Sequence, residues 1–167
     1  MTLPRGHRLA VAVRDFAQAV TDYLLDTTVE GVNALGNPGC LERGVMTDAE
    51  EIRSGNENEY HYMTIAARVM RLWNVHGAAY DMVDATIFFN ALGDRLRLKE
   101  AKGYEGWDIA YPEEDLRREL IDDACRVFYG SAERHHYLDV AARALFLWYR
   151  RRNTVQAADA FATACGG

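Results

Sequence analysis

The sequence predicts an all-α fold: a helical bundle built from two internally duplicated helical units. Three observations carry that expectation. Apolar residues recur at three- and four-residue steps over most of the chain, which is the period of a helix with one buried face. The 167 residues include only three prolines (Pro4, Pro38 and Pro112), so long stretches are free to be helical. A thirteen-residue stretch also returns at an offset of 75, as HYMTIAARVMRLW at 61–73 and HYLDVAARALFLW at 136–148.

The elements follow in order. Over 8–25, Val13, Phe16, Ala17, Val20 and Tyr23 form one apolar stripe. The stretch 31–44 contains Gly36-Asn37-Pro38-Gly39 and reads as a loop. Thr47 or Asp48 caps a short helix towards Ser54, and Gly55-Asn56 stops it. Helices are then expected at about 57–75 and 78–101, divided by Gly77. The segment 103–112, rich in glycine and closed by Pro112, is the linker. Beyond it come helices near 113–129, 133–152 and 154–164. Glu113, Glu114 and Asp115 suit the positive N-terminal end of the first of these. The domain division is therefore 1–36 as an N-terminal helix and loop, 40–102 as the first unit, 103–112 as linker and 113–167 as the second unit, all in one compact domain.

Within the repeat, seven of thirteen positions are identical: His, Tyr, Ala, Ala, Arg, Leu and Trp. The same offset pairs Leu41 with Leu116, Asp48-Ala49 with Asp123-Ala124, and Gly55 with Gly130. The repeat extends over about 40–92 and 115–167, and a pseudo-twofold bundle lets each copy bury its apolar face on the other. The alanine pairs allow close helix approach, and Trp73 and Trp148 supply large buried area. Arg68 and Arg143 interrupt an apolar stretch. Asp139 lies four residues before Arg143, within reach on one helix face. His61 and His136 open the long helices as capping and hydrogen-bonding groups, with an anion or metal role as the alternative.

Composition bounds the function. Nearly half of the residues are hydrophobic and the net charge is −6. An acidic chain lacks the basic stripe that direct nucleic-acid binding requires. It suits a basic protein partner, or carboxylates that hold a metal. Cys40, Cys125 and Cys165 match no metal spacing and read as buried free thiols of a reducing cytoplasm. No apolar run reaches membrane-spanning length and the start has no signal-peptide pattern, so a cytoplasmic location without membrane contact is expected.

Carboxylate pairs are the candidate chemistry. Glu119 and Asp122 are three apart on one expected helix, as are Asp81 and Asp84 on another; Asp123 and Asp139 join the first pair if the helices run antiparallel. Acids projecting from facing helices are how a bundle holds Mg²⁺ against a phosphate, and solvated helix faces produce the same spacing. The sequence contains no P-loop, HExxH, CxxC or GxSxG.

The run Arg95 to Asp108, with Lys102-Gly103 and Gly106-Trp107-Asp108, the helix after it and Asp139-Val140-Ala141 together resemble small phage accessory proteins over about 90–152. The last helix in turn is similar to the second metal-binding helix of MazG-like nucleotide pyrophosphohydrolases. That resemblance implies Glu119 and Asp122 as the first acidic pair and Asp139 as the last acid, with His136 where a further carboxylate belongs. In the first copy Thr64 and His61 stand at the corresponding positions.

Two functions are expected from this. One is a phage-type accessory protein, acting in the host cytoplasm by binding a protein and plausible as an inhibitor of a host factor or defence, without a cofactor. The other is a MazG-like, Mg²⁺-dependent nucleoside triphosphate pyrophosphohydrolase. There Glu119, Asp122 and Asp139 hold the metal while Arg143 and Lys102 contact the substrate. Arg68, His61 and His136 are further candidate site residues, and homo-oligomerisation is compatible with either reading.

Overall fold

The computed structural model describes residues 5–26, 38–56, 58–75, 82–103, 107 and 110–165. They form helices α1 (Arg5–Asp26), α2 (Pro38–Arg53), α3 (Tyr60–Val75), α4 (Met82–Ala101), α5 (Glu113–Phe128) and α6 (Arg134–Cys165), with no strand among the described residues. The all-α expectation is met, and no helix described is long and apolar enough to cross a membrane.

Two boundaries differ from the sequence reading. The expected loop up to Gly44 is helical from Pro38 onward. Proline is favoured in a first helical turn, where its missing N–H has no intrahelical partner, so Pro38 opens the helix. The helices expected at 133–152 and 154–164 are one, because Arg151-Arg152-Asn153 contains no breaker. Residues 31–37, 104–106 and 108–109 of the expected loop and linker lie outside the described residues.

Glycine ends α2 and α5 in the same manner. Gly55 and Gly130 have φ of 85° and 73°, left-handed values that cost other residues strain. Asn56 N–H donates to the Glu51 carbonyl at 3.0 Å, and Ser131 N–H to the Arg126 carbonyl at 2.9 Å. Gly55 and Gly130 N–H donate to Ile52 and Val127 carbonyls, each at 3.3 Å. This is the Schellman pattern, which satisfies the last carbonyls of a helix.

Packing follows a reciprocal scheme. The pairs α1–α4, α2–α5 and α3–α6 pack on each other; α2–α3 is mirrored by α5–α6, α1–α3 by α4–α6, and α1–α6 by α3–α4. Buried positions repeat as well: Leu41, Val45, Asp48, Ala49 and Ile52 in α2 correspond at offset 75 to Leu116, Leu120, Asp123, Ala124 and Val127 in α5. Along α1, buried Leu9, Ala12, Phe16 and Val20 correspond at offset 76 to buried Ala85, Phe88, Leu92 and Leu96 in α4. Ala66 and Ala67 of α3 and Ala141 and Ala142 of α6 are buried, as small residues at a close helix crossing should be. Trp73 and Trp148 each reach the start of the other long helix. Trp148 Nε1–H donates to Glu59 Oε1 at 3.1 Å, and the Arg134 guanidinium lies 4.0 Å from the Trp73 ring centroid. Residues 59 and 134 are themselves 75 apart, so α3 and α6 run antiparallel with reciprocal ends.

Of the thiols, Cys125 is half-buried while Cys40 and Cys165 are exposed, which corrects the expectation of three buried cysteines. Cys40 stands at the start of α2 and Cys165 ends α6, places where the core offers no cover.

Candidate functional site

Two buried acid–arginine pairs are set into the bundle. Asp48 on α2 accepts from Arg68 Nη1 on α3, and Asp123 on α5 accepts from Arg143 Nη1 on α6. Both aspartates are 4% exposed. Burial raises their pKa values, and the facing guanidinium only partly offsets it. His61 Nδ1 lies 3.1 Å from Asp48 Oδ1. His136 Nδ1 instead accepts from the Glu133 backbone N–H at 2.8 Å, a capping bond. His61 thus bonds an aspartate of the neighbouring helix, and His136 the start of its own.

The pairs also differ beside the arginine. In α2 the position beside the arginine is Gly44, where an added Cβ would run into the Arg68 guanidinium. In α5 it is Glu119, whose Oε2 accepts from Arg143 Nε at 3.0 Å and whose Oε1 accepts from the Tyr111 hydroxyl. Burial opposes the Glu119 charge, but the Tyr111 and Arg143 donors outweigh it and hold its pKa below the ordinary range.

Glu119 and Arg143 open onto a cleft of about 640 Å³ between α4, α5 and α6, a volume that suits a small organic ligand. Its apolar floor and lip include Leu9, Leu96, Leu98, Leu116, Ala142 and Phe146. Trp107 also lines the cleft; its ring stacks on Phe146 at 5.1 Å and its carbonyl accepts from Arg150 Nε at 2.9 Å. Arg95, Lys99 and Lys102 from α4 and its terminal turn bring cations to the wall. Asp139, 7% exposed, accepts from Arg95 Nε at 2.7 Å, Arg95 Nη2 at 3.0 Å and Lys99 Nζ at 2.9 Å. Burial again works against the charge, and these bonds outweigh it, so the Asp139 pKa is lowered.

The expected metal triad is not assembled. Glu119 and Asp139 share the cleft, but Asp122 is exposed on the other flank of α5, beside Arg53, Arg117 and Arg118. Successive residues of a helix point about 100° apart, so Asp123 rather than Asp122 turns inward. The carboxylates of Glu119, Asp123 and Asp139 are each engaged by protein cations. Mg²⁺ needs free oxygen ligands, and no group of three or more His, Cys, Asp or Glu among the described residues is arranged to hold a metal. The donor set does not fit the ion. Asp81 lies outside the described residues, and Asp84 is described in its backbone alone.

The expected Asp139–Arg143 pair is also rearranged. Arg143 turns to Glu119 and Asp123 and touches Asp139 through its backbone carbonyl at 3.4 Å, while the Asp139 side chain goes to α4. Arg95, Lys99, Tyr111 and Trp107 line the cleft without having been singled out for it, while Asp123, expected as a possible partner of the acidic pair, lies behind it on Arg143. One signal was available: an aspartate lies twenty residues before an arginine twice in the chain, Asp48 before Arg68 and Asp123 before Arg143. Comparison of the chain with family models, with curated proteins and with solved structures finds no match.

Proposed function

We propose that this protein works by binding, with the α4–α6 cleft as its recognition site and no metal-dependent chemistry there. The observation that carries this reading is the state of Glu119 and Asp139. Each already accepts from donors of the protein itself, two bonds on Glu119 and three on Asp139, and each has a lowered pKa. A general base needs a pKa near the working pH, and a metal ligand needs free lone pairs. Carboxylates held ionised sit too low to act as bases near neutral pH, and to take a metal they would have to give up their bonds to arginine, lysine and tyrosine; as placed, they set the charge of the cleft lining. This departs from the protein partner expected from the sequence: the binding role is kept, but a small ligand in a defined cleft takes the place of a protein on the acidic outer surface. The MazG-like alternative has Glu119 and Asp139 in one cleft on its side and the displaced Asp122 against it.

The test is a pyrophosphate-release screen with canonical and modified deoxynucleoside triphosphates in Mg²⁺, run beside a thermal-shift screen of small molecules. The binding reading expects no turnover, and at least one compound that raises Tm in the native chain but not in a Leu98→Asp variant of the cleft lip. A ligand at a hundredfold excess over its Kd stabilises by about 2.7 kcal/mol. Turnover that Asp139→Asn abolishes overturns the reading.

A further inference from the structure

We infer that the α4–α6 cleft takes an uncharged, predominantly apolar small molecule. The inference rests on the binding role proposed above and names the class of ligand for that site.

The charged groups of the walls are already bonded to one another. Arg95 and Lys99 both end on the Asp139 carboxylate, at 2.7–3.0 Å. Arg143 is shared between Glu119, at 3.0 Å, and Asp123 behind the wall. The other oxygen of Glu119 accepts from the Tyr111 hydroxyl. Of the charged side chains that line the cleft, Glu100 and Lys102 alone are in no ion pair among the described residues. They stand two residues apart at the end of α4 and are of opposite sign, so together they add no charge. An ion that leaves water loses its hydration, and only an opposite charge free to pair with it makes up the loss. An anion here would compete with Asp139 for Arg95 and Lys99, or with Glu119 and Asp123 for Arg143. A cation would compete with those same side chains for the carboxylates. An uncharged ligand breaks none of these bonds.

What the walls leave over is apolar surface. Leu98, on the cleft lip, is 63% exposed. Phe146 and Trp107 are half-buried and stack on each other within the lining. Buried Leu9, Leu96 and Leu116 complete it. Folding does not cover the exposed parts of Leu98, Phe146 and Trp107. A ligand that does cover them gains the hydrophobic free energy that folding leaves unused, which is how most small-molecule sites bind.

Fluorescence titration of the native chain with N-phenyl-1-naphthylamine, an uncharged probe, tests this. Three competitors share one ring system and differ in charge: 2-naphthylmethanol, 2-naphthoate and 2-naphthylmethylammonium. The expected result is one probe site per chain, from which the alcohol displaces the probe at concentrations roughly tenfold below those of either ion. Leu98→Asp and Leu98→Lys, both at an exposed position, should each weaken the probe by roughly fivefold and by similar amounts. The apolar lip is lost whichever sign replaces it. Displacement by the naphthoate or the ammonium at concentrations equal to or below those of the alcohol overturns the uncharged class. A loss confined to one of the two Leu98 variants does the same. Absence of probe binding, or binding indifferent to both variants, overturns the cleft as the apolar site. The binding role itself fails in a different assay, by turnover in the pyrophosphate screen.

Discussion

Replacing Asp139 by asparagine should cost the fold about 2 kcal/mol at pH 7. Asp139 is nearly buried and accepts three charge-assisted bonds of 2.7–3.0 Å from Arg95 and Lys99. Removing one partner of a fully buried ion pair costs about 3–5 kcal/mol, because the other charge is left uncompensated. Here the Arg95 and Lys99 side chains are 31% and 37% exposed, so water recovers part of that, and about 2 kcal/mol is left. For a chain of this length the change corresponds to a fall in Tm of roughly 4–8 °C. The penalty should depend on pH. Because the folded pKa of Asp139 lies below its unfolded value of about 3.9, its stabilisation is complete above that value and is lost as pH falls through the folded pKa. Urea unfolding followed by far-ultraviolet circular dichroism at pH 7 and pH 3 measures both effects. A penalty below about 0.5 kcal/mol at pH 7, or one of equal size at pH 3, refutes the assignment of Asp139 as an ionised anchor of α4.

Gly44→Ala should destabilise by about 1–3 kcal/mol, since its new methyl group displaces the Arg68 guanidinium from Asp48. In an Arg68→Ala background the same change should cost less than about 0.5 kcal/mol, and denaturant melts of the four chains measure the coupling. Gly55→Ala and Gly130→Ala should each cost about 1 kcal/mol by the same assay, for both carry positive φ in open surroundings. A marked inequality between them indicates that the two turns are not equivalent.

What was legible in the sequence follows from how local each signal is. Helix α5 matches its expected range almost to the residue, because Pro112, three acids in the first turn and Gly130 all act within the segment. The start of α2 was misplaced because Gly36, Asn37, Pro38, Gly39 and Gly44 count as loop formers by composition. Gly44 is instead held in the helix by a contact 24 residues away, with Arg68 Nη1 on its carbonyl at 3.4 Å. The site was half legible. Glu119, Asp139, Arg143 and Lys102 were singled out from acid spacing and resemblance, and all line the cleft. Asp122 was chosen over Asp123 since spacing by three fits a helix face without fixing which neighbour turns inward. Arg95 and Lys99 were out of reach, because their partner is 44 and 40 residues away and the packing of α4 on α6 brings them together.

The same residue gives opposite signs in stability and in binding. If Asp139 exists only to hold the bundle together, Asp139→Asn loses stability and either leaves ligand affinity alone or weakens it by loosening the wall. If it also sets the charge of the cleft, the substitution removes one negative charge from the lining. An aromatic sulfonate should then bind the less stable protein more tightly, by roughly threefold to tenfold at low ionic strength. The gain should shrink in high salt, while the stability deficit, which belongs to a buried contact, should change little. Titration of native and Asp139→Asn chains with 8-anilinonaphthalene-1-sulfonate at two salt concentrations, below the unfolding transition, separates these outcomes. Weaker binding by the variant at low salt defeats the charge argument. Tighter binding shows that Asp139 anchors Arg95 and Lys99 and also offsets their field in the cleft.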